Sequence, residues 1–284
     1  MGISNQFFKN QHKKMKDILK KICIALVVSS AFCNACAQSK PAGDAEELAK
    51  KLANPVASLI SLPFQNNTDV GIGSYNGSRN TLNIQPVVPI KLSSKLNLIA
   101  RVVLPLVTQH NITGEGTKQS GLSDALVSAF FSPAKAKNGV VWGAGPALLV
   151  PTATEALLGT EKFGIGPTAL ILKQANGWTY GALINQIWSV AGNDERADVN
   201  QMFLQPFLTR NWKSGAGIGV SGEITQSWDA STTTAFINPS ISGITKVGTQ
   251  IISLAVGPRI QVAGPNGSKS DLGIRAACTL VFPK

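Results

Sequence analysis

Disulfide chemistry is almost out of reach for this chain. Of its four cysteines, Cys23, Cys33 and Cys36 crowd into one N-terminal stretch, and Cys278 alone lies beyond it. A lone cysteine forms no intramolecular disulfide and no thiolate metal site. Histidine is equally scarce, with only His12 and His110, so no His pair at ligand spacing is available for a transition metal. Charged residues make up 14% of the chain, against roughly 25% in ordinary soluble domains. The formal net charge of +11 misleads, because residues 1–37 hold six Lys and one acid. The rest is spread without a basic block, which removes nucleic acid from the expected partners. No apolar run is long enough for a membrane helix. The best, ICIALVVSSAFC at 22–33, falls well short of the roughly 20 residues a spanning helix needs.

That run is better explained as the core of a secretory signal. Lys13, Lys14, Lys16, Lys20 and Lys21 precede it, and ACA at 35–37 supplies the small-x-small cleavage pattern. The expected cut follows Ala37, with Met1 or Met15 as the start. Residues 38–54 then form a periplasmic segment, with DAEELAKKLAN (44–54) as a short helix stopped by Pro55. A solvated lead-in helix is the plain interpretation of that segment, and a plug or docking element is the alternative. Residues 55–284 form the main domain.

From residue 55 the chain reads as twelve strand-like runs: 55–64, 80–92, 95–108, 121–132, 140–151, 163–174, 177–190, 199–212, 215–227, 233–245, 248–262 and 271–282. Most are longer than the 5 or 6 residues usual in globular sheets. They suit the roughly 9–11 residues of a tilted transmembrane strand. Connections alternate between long (65–79, 109–120, 152–162, 191–198, 228–232, 263–270) and mostly short, which is the pattern of a transmembrane barrel. The expected fold is all-β: a closed antiparallel transmembrane β-barrel of about 12 strands, preceded by a short N-terminal periplasmic helix.

Parity sorts the two faces. Leu82, Ile84, Val88, Ile90 and Leu92 oppose Thr81, Asn83, Gln85 and Lys91. In the next run Leu96, Leu98, Val102, Leu104 and Leu106 oppose Lys95, Asn97 and Arg101. The face opposite lipid carries Arg101, Asp124, Glu223, Arg259 and Arg275. A dry protein core rarely accepts so many charges, whereas a wet lumen does. On the lipid face Trp178, Tyr180 and Trp188 form an aromatic girdle. Trp178 and Trp188 are ten residues apart, roughly 25 Å along the membrane normal for a tilted strand. Gln186 in the middle of that face, and Pro86, Pro89, Pro105, Pro146, Pro167, Pro206, Pro239 and Pro258 inside strands, run against the pattern. Proline removes a ladder donor, and a closed barrel has no edge to hide it.

Catalytic and cofactor motifs are weak. Gly217-Ile-Gly219-Val-Ser-Gly222 fits GxGxxG, but the segment alternates like a strand and lacks the strand–turn–helix setting. His110 is the one histidine in the main domain and has only Glu115 nearby in sequence. A hydrolase would need it as base. Asp194, Glu195 and Asp198 cluster with Arg196 without EF-hand spacing. Four Asn-x-Ser/Thr triplets, at Asn66, Asn76, Asn111 and Asn266, fall in the expected loops. No catalytic residue, metal or cofactor is expected.

Several stretches resemble a known group. NPVASLISLPFQNN, RNTLNIQPVVPI, GAGPALLVPTATEALLGTEKFGIGPTALILKQ, GWTYGALINQIWSVAGNDERADVNQMFLQPF and LVFPK resemble bacterial outer-membrane barrels of the "MetA-pathway of phenol degradation" family, some of them mislabelled neuromedin U. The resemblance covers roughly 54–284. It implies an outer-membrane barrel that passes small, hydrophobic or aromatic molecules, and it brings no catalytic residues. The in-strand prolines belong to that family pattern.

The expected activity is therefore passage of small solutes through a narrow lumen in the outer membrane of a Gram-negative bacterium, gated by loops 109–120 and 152–162. Its partners would be outer-membrane lipid, the barrel-insertion machinery and the solute. A non-conducting structural or surface-binding barrel is the alternative, and a barrel lipid hydrolase a further one.

Overall fold

The structure is a computed structural model that describes residues 42–54, 59–265 and 267–282. The signal sequence and its cleavage after Ala37 lie outside the described residues. No helix among the described residues is long and apolar enough to cross a membrane.

Fourteen strand segments form one sheet: β1 (Ile60–Ile72), β2 (Gly77–Ile84), β3 (Val87–Lys91), β4 (Leu96–His110), β5 (Lys118–Leu122), β6 (Ala125–Pro133) and β7 (Val140–Val150), then β8 (Lys162–Ala175), β9 (Trp178–Gly192), β10 (Asn200–Asn211), β11 (Gly217–Ser227), β12 (Thr232–Val247), β13 (Gln250–Ala263) and β14 (Leu272–Phe282). β2 and β3 are one wall strand interrupted at 85–86, and β5 and β6 another interrupted at 123–124. Counting each as one leaves twelve wall strands. All pairings are antiparallel, and β14 pairs with β1 from Phe282↔Ile60 to Leu272↔Val70, which closes the barrel.

The expected strands are all present, with one large displacement. The first runs from 60 to 72 instead of 55–64, so the connection expected at 65–79 shrinks to the turn 73–76. Likewise the expected loop 109–120 is strand at both ends, leaving 111–117. Asn66-Asn67-Thr68 thus lies in β1 and not in a loop. The reason is physical. Near the long-loop end both faces of these strands are polar, so alternation disappears although the ladder continues. Asn66 and Asn80 exchange amide hydrogen bonds at 3.0 Å on the outer face. At the other end the turns are tight. Asn176 and Gly177 take φ of 50° and 77°, the left-handed pair that a two-residue hairpin requires.

The prolines have a structural explanation. Pro105, Pro146, Pro167, Pro206, Pro239 and Pro258 sit where the ladder skips residues on one side and is kept on the other, and Pro89 keeps its pairing with Ile99 of β4. β10 and β11 pair at Leu204↔Ile224 and next at Phe207↔Ser221, while Pro206 still faces Ala182 of β9. β12 and β13 pair at Ile237↔Ile260 and next at Ile241↔Val256. Pro239 still faces Val220, and Pro258 still faces Ile274. Pro146 and Pro167 face one another across β7 and β8, and each has its gap on the far side. Pro86 occupies the break between β2 and β3. Missing donors therefore fall at local gaps rather than at an edge. At three of these gaps the residue before proline is glycine, and the neighbouring carbonyl comes too close for a side chain. A Cβ on Gly166 would stand 1.7 Å from the Gln186 carbonyl, and one on Gly257 1.8 Å from that of Pro239.

Outside, the wall is apolar. Ile171, Ile184, Leu208, Ile241 and Ile260 are all exposed. Helix α1 (Ala42–Leu52) carries a Lys51–Glu47 ion pair of 2.8 Å. Its Lys50 carbonyl accepts a 2.7 Å hydrogen bond from Gln174 Nε2, near the end of β8. The C-terminal turn of the helix therefore meets the short-turn end of the barrel.

Candidate functional site in the barrel lumen

Inward positions follow from register. Asn67 faces Arg275, and Asp69 faces Arg79, on neighbouring strands. Glu223 faces Phe236. Arg79 is exposed and donates from Nε to Gln109 Oε1 at 2.9 Å, while the others meet, with Arg259, in one buried network. Arg259 Nη1 donates to Glu223 Oε2 at 2.6 Å, and its Nε donates to Asp69 Oδ2 at 3.3 Å. Arg275 Nη2 lies 2.7 Å from Glu223 Oε1, and its Nε donates to Asn67 Oδ1 at 2.7 Å. The Arg259 guanidinium also lies over the Phe236 ring, 3.5 Å from its centroid. Carboxylates, amides and a ring face thus share the cost of burying two arginines.

Three of the five sequence-predicted lumen residues, Glu223, Arg259 and Arg275, are brought together here. Arg101 also points inward, between Val87 and Ser128, and donates from Nη2 to Gln85 Oε1 at 2.8 Å. Asp124 has a different task. Val107 faces Gly121 while Val103 faces Leu126, so six residues of one strand span five of its neighbour. The extra residue is a bulge at 123–124. There Asp124 accepts from the Thr160 amide at 2.6 Å, the Thr160 hydroxyl at 2.7 Å and the Ala153 amide at 3.3 Å. It anchors loop 151–161 and makes no hydrogen bond to the arginine network among the described residues. Arg196 braces the same loop through the carbonyls of Ala156 and Gly159, at 2.8 and 2.6 Å. The expected gate at 152–162 is thus a pinned segment in this structure.

Parity missed Asp69, Arg79 and Asn67, because they lie in the stretch read as a loop. Asp69 and Asn67 alternate with outward Thr68 and Val70. The available signal was that period-2 spacing, hidden by polar residues on both faces.

The lumen is asymmetric. On the β3–β10 side, Val87, Ile99, Phe130, Leu170, Leu172 and Leu183 pack as a buried apolar cluster, with Val141, Phe203 and Phe207 against it. On the β11–β14 and β1 side many inward residues are small, among larger ones such as Phe236, Ile244 and Val281. Gly219, Ser221, Ser240, Ala255, Ala277 and Ser61 are half-buried.

The girdle residues face outward: Trp178 is 42% exposed, Tyr180 43% and Trp188 46%. Gln186, on the same face, is satisfied at both ends of its amide. Trp228 Nε1 donates to its Oε1 at 3.0 Å, and its Nε2 donates to Asn200 Oδ1 at 2.9 Å. His110 is exposed at the end of β4, and its side chain makes no hydrogen bond to a serine or an acid among the described residues. The acidic loop 193–199 is held by Lys162 Nζ, 3.0 Å from Asp198 Oδ1, and by Ser189 Oγ, which donates to that oxygen at 3.0 Å. The Lys162 hydrogen bond is the largest cause holding the Asp198 carboxyl below its ordinary pKa. Among the described residues no group of three His, Cys, Asp or Glu side chains is placed to hold a metal.

No family model matches the chain, and no curated protein sequence matches it. Among solved structures it is similar to the COG4313 outer membrane channel from Pseudomonas putida F1. The TM-score is 0.64 at 16% identity, over 81% of this chain and 97% of that one. The two share a barrel fold. Outer membrane phospholipase A from Escherichia coli aligns over 86% of this chain and 99% of its own, at a TM-score of 0.45 and 10% identity. The transport unit of the Escherichia coli autotransporter AIDA-I covers 87% and 100%, at 0.45 and 11%. At that level the last two carry no argument about this chain.

Proposed function

We propose that this chain is an outer-membrane channel for small solutes, a member of the group that its sequence resembles. The observation that carries the proposal is the asymmetric lumen. One half of the interior is filled by large apolar side chains. In the other half a stretch of Gly, Ser and Ala runs beside a buried Arg–Glu–Arg–Asp network. A solute would follow the small-residue stretch and pass the network, with the apolar cluster offering a contact for a hydrophobic or aromatic body. Twelve strands leave little spare interior beyond the eight whose side chains fill a barrel, so the path is narrow. The exposed apolar wall supports a lipid environment, which the barrel would enter through the insertion machinery after export. An enzyme is not proposed: Ser78 faces His110 across β2 and β4, but no hydrogen bond joins their side chains among the described residues.

Planar-bilayer conductance of the refolded mature chain tests this, with heat-modifiable gel migration as the folding control. Discrete steps are expected, and Arg259→Glu should change their size or ion preference. A folded barrel that shows no steps overturns the channel and favours the structural, surface-binding alternative.

A further inference from the structure

The two ends of the barrel differ sharply in charge. At the short-turn end the turns carry Lys95, Lys135, Lys137 and Lys213. The adjoining strand ends carry Lys91, Lys173, Arg210 and Lys246. Among the described residues of the barrel, no acid lies in those turns or within three residues of them. Glu47 of α1 is already paired with Lys51. The opposite end has the reverse balance, with Glu115, Glu155, Glu161, Asp194, Asp229 and Asp271 among its acids.

On the outer wall of β7–β10 these cations stand among aromatic rings. Lys173 faces Tyr180 across β8 and β9, and Arg210 faces Trp178 across β10 and β9. The Arg210 guanidinium lies 5.4 Å from the Trp178 ring centroid and donates to the Asn176 carbonyl, so it is held in place. Trp142 and Trp212 are exposed at the same end. The Lys173 ammonium has no carboxylate partner among the described residues. Directly above, Ile171, Ile184 and Leu208 continue the exposed apolar wall.

We propose that this patch binds an anionic phospholipid, its phosphate on Lys173 and Arg210, its glycerol region on Trp178 and Tyr180, and its acyl chains on the wall above. The inference rests on the membrane-barrel reading. Charge complementarity selects the headgroup, and continuity with the apolar wall selects a lipid over an acidic protein. Aromatic rings at the boundary present an apolar body and a polar edge, and lysine extends its ammonium toward the headgroup layer.

The experiment is native mass spectrometry of the refolded mature chain released from nanodiscs of equal phosphatidylglycerol and phosphatidylcholine with matched acyl chains. Selective retention of phosphatidylglycerol is expected. A cation near an anionic surface contributes about fivefold, so Lys173→Gln with Arg210→Gln should weaken retention by about 25-fold. Lys118→Gln with Lys269→Gln, at the acidic end, should leave it unchanged. If the double variant does not fold, Lys173→Gln alone is exposed enough to be tolerated and should cost about fivefold. Equal retention of both lipids, or equal loss in the control pair, overturns the proposal. A chain that never enters the discs or shifts on heating would instead overturn the membrane-barrel reading, and this proposal with it.

Discussion

Arg259 and Glu223 meet across two ladders: the guanidinium of β13 donates to the carboxylate of β11 at 2.6 Å, with β12 between them. The same carboxylate lies 2.7 Å from Arg275, so one acid neutralises two buried cations. Glu223→Leu leaves those cations side by side with Asp69 as their remaining acid. The expected loss is about 3 kcal/mol, as when one member of a buried ion network is removed. Urea unfolding in lipid vesicles measures it. An unchanged midpoint would sink this account of the network.

Gly166→Ala tests the proline gaps. The added Cβ would stand 1.7 Å from the Gln186 carbonyl, so β8 and β9 must separate. A cost of about 1–3 kcal/mol is expected, the usual range for overpacking, read from the same unfolding assay. Tolerance of alanine would mean that the close approach is not needed there.

Asp124→Ala should release loop 151–161 while leaving the barrel closed, because the carboxylate's three hydrogen bonds all go to that loop. Limited proteolysis should cut between 153 and 160 at least tenfold faster, with heat-modifiable migration retained. Equal cutting rates would show that Arg196 suffices together with the Thr152 hydroxyl, which donates to the Ser123 carbonyl at 2.8 Å, and the Thr154 hydroxyl, which accepts from the Leu122 amide at 3.1 Å.

Loop 193–199 should depend on pH. Asp198 has a lowered carboxyl pKa in the folded chain, caused first by its hydrogen bond from Lys162. Its contribution is therefore fully present above the ordinary aspartate value of about 3.9. It is lost as pH falls through the lower folded value. Hydrogen exchange of the Val199 amide, which donates to Ser189 Oγ, should rise in acid once intrinsic rates are divided out. Asp198→Asn should show that rise already at neutral pH.

Much of the wall was legible from alternation alone. Trp178, Tyr180 and Trp188 share an outward face because side chains in a strand alternate whatever the strand pairs with. For the same reason Arg101, Glu223, Arg259 and Arg275 point inward. Alternation fails where both faces are polar. Residues 65–72 therefore looked like loop, and Asp69 and Asn67 were hidden with them. Alternation also places Asp124 inward, as the register past the bulge does, but it cannot show that the carboxylate is spent on loop 151–161.

The sequence by itself determined most of the strands and their two faces, since these depend only on local periodicity along the chain. Only the tertiary structure decided which inward charges meet. Arg259 reaches Asp69 across 190 residues of sequence because the last strands pair with the first and close the sheet. Pairing between neighbouring strands likewise decided where the prolines' missing donors fall, since a ladder gap is a property of two strands in register and not of one.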